Sequence, residues 1–185
     1  MTNKKQIIVM MGGPGVGKGT LSKMLLNLRP YKHIEAGAIL RALPSDSEIC
    51  KLISAGNLVP DELICAMIAP QITEHSDMIL DGFPRTIGQA KWLVEKYANK
   101  YDIQILYMYT NEETLIARIQ KRARSGSCRA DDNALEIIRN RLNNFNKTTM
   151  PAVEWLRTAP GIKFSPIDAN GDENSNFTQI IAALK

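Results

Sequence analysis

Cysteine and histidine are scarce in this sequence. Its 185 residues include three cysteines and two histidines. Cys50, Cys65 and Cys128 are odd in number and form no C-x-x-C pair, which argues against a disulfide framework and against a zinc site. His33 and His75 have no carboxylate or nucleophile at a recognisable spacing, so we interpret both as structural residues.

Long hydrophobic runs and blocks of basic residues are also missing. No apolar run approaches the roughly 20 residues that span a bilayer, and no charged-then-apolar leader opens the chain, so we expect a cytoplasmic protein without membrane contact. The net charge is +4, but the basic residues are spread along the chain, which favours a small phosphate-bearing ligand over nucleic acid. With 44% hydrophobic residues, residues 1–185 are predicted to form one domain.

Short apolar segments alternate with longer helical patterns. The predicted strands cover residues 7–11, 33–34, 78–80, 103–109 and 162–167. The predicted helices cover residues 19–28, 86–97, 111–122, 134–156 and 177–184. Thr110 and Glu113 form a capping box for the third helix, and the asparagine-rich stretch 140–146 is interpreted as a polar helix face. This alternation predicts a doubly wound α/β fold with a five-stranded parallel sheet.

A glycine-rich segment, GGPGVGKGTL at residues 12–21, lies between the first predicted strand and the first predicted helix. It nearly matches G-x-x-x-x-G-K-[ST], but Gly19 follows Lys18 and the hydroxyl comes one place later, at Thr20. Glycines let a backbone approach phosphates closely, and the amides of a helix start attract anions. The segment therefore predicts a polyphosphate site with Lys18 at the outer phosphates.

Arg118 and Arg122 lie at i and i+4, on one face of a predicted helix. This pair repels weakly unless an anion meets it, and two solvated arginines are an equally simple interpretation. Phosphoryl transfer between nucleotides needs such cations, because charge develops on the moving group and no protein nucleophile is required. Asp131 and Asp132 fit either an ordinary helix start or, with Arg129, a closing lid.

The loop sequence G-G-P-G-V-G-K-G-T resembles the phosphate loop of the adenylate kinase family of nucleoside monophosphate kinases. Further segments resemble the family in its order over nearly the whole chain: HIEAGAILR at 33–41, GNLVPDE at 56–62, LDGFPRT at 80–86, RIQKR at 118–122 and RADDN at 129–133. Arg141 stands ten residues before Pro151, as the last catalytic arginine of the family does before its proline.

The resemblance implies reversible transfer of the γ-phosphoryl group of Mg-ATP to a nucleoside monophosphate, with AMP preferred. The implied catalytic residues are Lys18, Arg85, Arg122, Arg129 and Arg141. The implied ATP contacts are Gly13, Gly15, Val16, Gly17, Lys18, Gly19, Thr20 and Arg118. The implied contacts to the acceptor monophosphate are Gly37, Arg41, Leu58, Val59, Gly82, Arg85 and Gln89. Mg²⁺ would be held near Thr20 and Asp81, largely through water.

The resemblance also implies how the chain is divided. Residues 36–58 would form a small helical insertion that binds the acceptor, and residues 123–131 a short lid. Arg129, Asp131 and Asp132 would belong to that lid, which is too short for the zinc-bearing type and carries no ligand cluster. The family analogy implies a monomer.

The departures from the family lie mostly in the acceptor module. Glu35 stands where the family has Ser, Ala36 where many adenylate kinases have Thr, and Ala38 where an acidic residue is usual. An enzyme of the UMP/CMP kinase type is therefore the nearer alternative, and a nucleotide-binding switch that has lost turnover is the alternative from another class. Around the lid one extra residue lies between Arg122 and Arg129, and another lies between Asp132 and Arg141. Arg139 therefore competes with Arg141 for the last catalytic role.

Overall fold

A five-stranded parallel sheet forms the centre of the molecule. The computed structural model describes residues 4–73, 76–124 and 135–185. The strands are β1 (Lys5–Gly12), β2 (Lys32–Glu35), β3 (Met78–Asp81), β4 (Tyr101–Tyr109) and β5 (Ile162–Asp168). Their spatial order is β2-β3-β1-β4-β5, and all four neighbouring pairs are parallel. The predicted fold class is confirmed.

Helices surround the sheet in the part of the chain that the structure describes. They are α1 (Lys18–Leu28), α2 (Ala36–Arg41), α3 (Glu48–Ser54), α4 (Asp61–Ile68), α5 (Ile87–Tyr97), α6 (Glu112–Arg124), α7 (Leu135–Asn144), α8 (Met150–Thr158) and α9 (Glu173–Ala183). No described helix is both long enough and apolar enough to cross a bilayer. The predicted acceptor insertion contains α2 and α3, the predicted lid lies mainly outside the described residues, and the division into these parts stays a prediction.

Strand β1 shows why both faces of the sheet are covered. Ile7, Val9 and Met11 belong to one hydrophobic cluster, and Ile8 and Met10 belong to the other. Alternate residues of a strand point to opposite faces, so an uninterrupted apolar strand must be packed on both sides. β2 and β3 lie on one side of β1, and β4 and β5 lie on the other, so the order of the strands switches sides at β1. The carboxyl end of β1 is therefore the expected ligand position.

Two local predictions were incomplete or wrong. Helix α4 was not predicted, because its segment DELICAMI is apolar almost all round and shows no clear period; its buried residues are Ile64, Cys65 and Ile68. The capping box at Thr110 was wrong. Asn111 accepts the amide hydrogen of Thr114 at 2.8 Å, whereas the Thr110 hydroxyl donates to Asn170 at 2.6 Å.

The predicted helix 134–156 is interrupted by a change of helical type. A π-helical segment, Phe145–Thr149, joins α7 to α8, and the amide of Met150 donates to the carbonyl oxygen of Phe145. A π-helical turn has one residue more than an α-helical turn, so it rotates the faces of the two flanking helices relative to each other. The sequence pattern predicted a continuous helical run, but it did not predict the rotation of α8 relative to α7.

We predict that Leu80→Ala destabilises the fold by about 2–5 kcal/mol, because it leaves a cavity at a fully buried position of β3. Leu28→Ala, at a position that is 59% exposed at the end of α1, is the matched control and should change the free energy of unfolding by less than about 0.5 kcal/mol. Chemical denaturation monitored by circular dichroism measures both. Equal losses in the two variants would contradict the assigned core.

Candidate active site

The glycine loop joins the carboxyl end of β1 to the amino end of α1. Gly12 has a φ of +146°, and a Cβ there would lie 2.5 Å from the carbonyl oxygen of Met108 in β4. No side chain fits such a contact between two backbones. Gly17, with a φ of 105°, is the residue before α1, and as a glycine it has no side chain that could cap the first turn. The first amides of α1 are therefore available to an anion.

Lys18 is the first residue of α1, and its ammonium group lies over the loop. Its Nζ donates to the carbonyl oxygens of Gly12 at 2.7 Å and Gly13 at 3.0 Å. Both acceptors belong to the loop itself, so the positive charge stays beside the backbone amides that would bind a phosphate. The predicted lysine of the phosphate site is thus next to the predicted helix start.

A cavity of about 900 Å³ opens beside the loop. This volume lies in the range of small-molecule sites. Its basic lining residues are Lys18, Lys23, Arg85, Arg118, Lys121, Arg122 and Arg141, and its acidic lining residues are Glu35, Asp81, Asp172 and Glu173. The basic side chains come from three separate elements and from the loop after β3, so the fold brings distant cations to one cavity.

The structure places most of the predicted site residues on this cavity. Those that line it are Gly15, Val16, Gly17, Lys18, Gly19, Thr20, Gly37, Leu58, Asp81, Gly82, Arg85, Arg118, Arg122 and Arg141. Those that do not are Gly13, Arg41, Val59 and Gln89. Arg129, Asp131 and Asp132 lie outside the described residues. Between the two competing arginines, Arg141 lines the cavity, whereas Arg139 is exposed and does not.

Backbone carbonyls orient two of these arginines. Arg118 donates to the carbonyl oxygens of Ala169 at 2.8 Å, Gly171 at 3.3 Å and Val16 at 3.4 Å. Arg85 donates from Nε to the carbonyl oxygen of Gly82 at 2.8 Å. These contacts spread part of each positive charge over neutral acceptors, which lets like charges gather in one cavity at lower cost.

Gln89 is 3% exposed, and both ends of its amide are hydrogen-bonded within the protein. Its Oε1 accepts the backbone amide of Arg85 at 2.7 Å, and its Nε2 donates to Asp61 at 2.8 Å. Asp61 also accepts the hydroxyl of Thr86 at 2.7 Å. Sequence reasoning missed Asp61, because its partner Gln89 lies 28 residues further along the chain and no local signal links the two.

Cys65 is a buried thiol on α4, four residues after Asp61. Burial raises its pKa to about 11, and the Asp61 carboxylate contributes to the increase. The thiol is therefore protonated at neutral pH and is a poor nucleophile.

Asparagines of α7 contact the end of α3, where the sequence suggested only a solvated face. Asn140 Nδ2 donates to the carbonyl oxygen of Ala55 at 2.7 Å, and Asn144 Nδ2 donates to that of Gly56 at 2.9 Å. A Cβ on Gly56 would lie 2.9 Å from Cγ of Arg141. The predicted acceptor insertion is therefore joined directly to the helix that carries Arg141.

The residues predicted to face Mg²⁺ both line the cavity. Thr20 offers a hydroxyl and Asp81, 6% exposed, a carboxylate. Among the described residues no group of three or more His, Cys, Asp or Glu side chains is arranged to hold a metal ion. Hard oxygen donors in small number suit Mg²⁺, which keeps several waters and takes further ligands from phosphates. The donor set therefore fits an ion held largely through water.

We predict that Asn140→Ala and Asn144→Ala each speed amide exchange at residues 50–57 by about threefold to tenfold, because a lost hydrogen bond costs about 0.5–1.5 kcal/mol. Asn174→Ala, at an exposed position of α9, is the control and should leave that exchange unchanged. Mass-spectrometric hydrogen exchange measures all three. Unchanged exchange in both α7 variants would show that the asparagines do not hold this turn.

Comparison with known proteins agrees with this geometry. A family model described as adenylate kinase matches residues 10–160. An adenylate kinase of Phocaeicola vulgatus is 35% identical over 188 aligned positions, which cover 96% of this chain and 97% of the relative. One of Bacteroides thetaiotaomicron is 34% identical over 187 positions, covering 96% and 97%. One of Cyanothece sp. is 35% identical over 185 positions, covering 94% and 92%. These matches extend over most of the chain, and the glycine loop and the arginines line one cavity, so the protein belongs to the adenylate kinase family.

Proposed function

We propose that this protein catalyses the reversible transfer of the γ-phosphoryl group of Mg-ATP to AMP, giving two ADP. The observation that carries the proposal is the convergence of Lys18, Arg85, Arg122 and Arg141 on one cavity at the start of α1. A binding module needs a phosphate loop but not this gathering of cations. Phosphoryl transfer needs both, because the charge of the moving group must be stabilised as it develops.

Each cation has a place that suits one stage of the transfer. Lys18, at the loop, would hold the outer phosphates of the donor. Arg85, which follows β3, would hold the acceptor phosphate, together with Arg41. Arg122 and Arg141, from α6 and α7, would gather on the transferred group, with Arg129 completing the set from the lid. No protein nucleophile is involved, so these residues act by alignment and charge.

Mg²⁺ would be held near Thr20 and Asp81 and would neutralise charge on the donor phosphates. The chain's own part is to orient the phosphates on the loop and to exclude water. Exclusion of water strengthens each arginine–phosphate contact and protects ATP from hydrolysis. The predicted lid 123–131 would supply that closure. The predicted monomeric state and cytoplasmic location stay predictions.

The Gln89 amide supports adenine as the acceptor base. An amide has two N–H donors and two acceptor positions on its oxygen. Asp61 uses one donor and the Arg85 amide uses one acceptor position, which leaves one of each. These match the ring nitrogen and the adjacent amino group of adenine. Because the amide is buried, base binding must uncover this edge, and the fixed contact to Asp61 keeps its donor and acceptor in order.

A pyrimidine acceptor remains the second candidate because of Ala36. This residue, where many adenylate kinases have Thr, is 2% exposed and packed in the hydrophobic core. Because it is an alanine, this residue offers no hydroxyl that could help to discriminate between bases. Cytosine presents the same adjacent ring nitrogen and amino group as adenine, so CMP should compete better than UMP, whose edge has the opposite order.

We predict that Lys18→Met and Arg85→Ala each lower kcat/KM by on the order of 10², because both charges act on phosphates in the transition state. Steady-state measurement of ADP formation gives the values. Lys91→Met, an exposed change on α5, is the control and should keep normal activity. Near-normal turnover in either cavity variant would remove that residue from the catalytic set.

We predict that kcat/KM is highest for AMP, lower for CMP and lowest for UMP, GMP and dTMP. Asp61→Asn should narrow the margin of AMP over UMP by about threefold, because a neutral acceptor orients Nε2 of Gln89 less strongly than a carboxylate, while the Arg85 amide still holds Oε1. Assays with the five monophosphates on both proteins measure the margins. A wild-type preference for CMP or UMP would overturn the Gln89 argument and favour the pyrimidine kinase.

A further inference from the structure

Glu35 forms an ion pair with the arginine expected to bind the acceptor phosphate. Oε1 of Glu35, at the end of β2, lies 2.7 Å from Nη2 of Arg41, in α2. A hydrogen bond between two charged groups is among the stronger kinds in proteins. The two side chains are 30% and 40% exposed, so a ligand can reach them.

In this ion pair the guanidinium group of Arg41 lies close to Gly37, near the amino end of α2. A Cβ built on Gly37 would lie 2.8 Å from Nη1 of Arg41, so the guanidinium group lies against the first turn of α2. Glu35 and Gly37 both line the cavity, whereas Arg41 does not. The ion pair thus holds Arg41 away from the cavity lining. Of the two paired residues, only Glu35 lines the cavity.

The neighbouring strand adds to the negative charge at this place. Glu35 is the partner of Asp81 in the register of β2 and β3, and both side chains line the cavity. An incoming phosphate would meet these carboxylates before it met Arg41. A phosphate and a carboxylate bind a guanidinium group in the same bidentate way, so they compete for one site.

We propose that Glu35 is an internal competitor of the acceptor phosphate for Arg41. In the absence of acceptor the carboxylate occupies the guanidinium group, and the acceptor must displace it. Glu35 therefore lowers the affinity for the monophosphate and leaves the affinity for ATP unaffected, which identifies it as a residue that sets the affinity of the acceptor site. The inference rests on the proposed function, in which Arg41 binds the acceptor phosphate.

The expected effect is moderate, since an exposed ion pair of this kind corresponds to a few-fold change in an equilibrium constant. Glu35→Gln also removes a negative charge that repels the phosphate. We expect AMP to bind about threefold to tenfold more tightly in this variant, with KM for AMP lowered equally. KM for ATP and kcat should stay within about twofold. A variant that is only less well folded would not bind AMP more tightly.

Isothermal calorimetry with AMP, which needs no turnover, is the direct test. The variants are Glu35→Gln, Glu35→Ser, Arg41→Ala and the double change Glu35→Gln with Arg41→Ala. The matched control is Glu154→Gln, which breaks the exposed ion pair of Glu154 with Arg157 on α8 and should leave AMP binding unchanged. Arg41→Ala should weaken binding at least about tenfold, and in its background Glu35→Gln should lose most of its effect.

The outcomes separate the two claims. Unchanged or weaker AMP binding in both Glu35 variants overturns the inference and leaves the proposed function standing. Tighter AMP binding without ADP formation in a coupled assay supports the inference and overturns the proposed function. Unchanged AMP binding in Arg41→Ala overturns the inference together with the assignment of Arg41, while phosphoryl transfer is judged from ADP formation alone.

Discussion

The close approach of Gly12 to the carbonyl oxygen of Met108 is the constraint on which the site depends. Strand β1 lies between β3 and β4; it is paired with β3 as far as Met10 and with β4 as far as Gly12, whose register partner is Met108. The loop begins at this fixed point, without room for a side chain. The amides of α1 and the ammonium group of Lys18, which donates to the carbonyl oxygen of Gly12, take their positions from it. A shift of β1 by one residue would displace every one of them.

The second requirement is that like charges remain together without a ligand. The arginines of the cavity come from α6, α7 and the loop after β3, and their repulsion works against the fold. Contacts to carbonyl oxygens, as at Arg118, reduce this cost without adding negative charge where a phosphate must bind. Arg41 is held differently, by the carboxylate of Glu35. An arginine that is bonded to neutral carbonyl oxygens keeps its positive charge for an anionic ligand. A carboxylate partner, in contrast, repels that ligand and competes with it for the arginine.

The sequence predicted the strands and the glycine loop well, because both depend on local signals. A short apolar run bounded by turn residues favours a strand buried on two faces, and a loop that needs several glycines is visible in the residues themselves. Helix α4 was missed because nearly every residue after Glu62 is apolar, which hides the period by which helices are recognised, although only Ile64, Cys65 and Ile68 are buried. The contacts of Asp61 and of the α7 asparagines were missed for another reason. They join segments far apart in the chain, such as Asn140 and Ala55, and neither residue type alone specifies a partner.

The π-helical turn between α7 and α8 controls the phase of the helical run. Ile138 and Leu142 of α7 pack in one hydrophobic cluster, whereas Ala152 and Val153 of α8 pack in the other. Each residue of an α-helix turns the chain by about 100°, so the extra residue of the π turn moves α8 onto a different surface. Loss of a single residue there would turn α8 by about 100° relative to α7 and would displace either Arg141 or the core face of α8, so the number of residues in this turn is as constrained as the side chains that it positions.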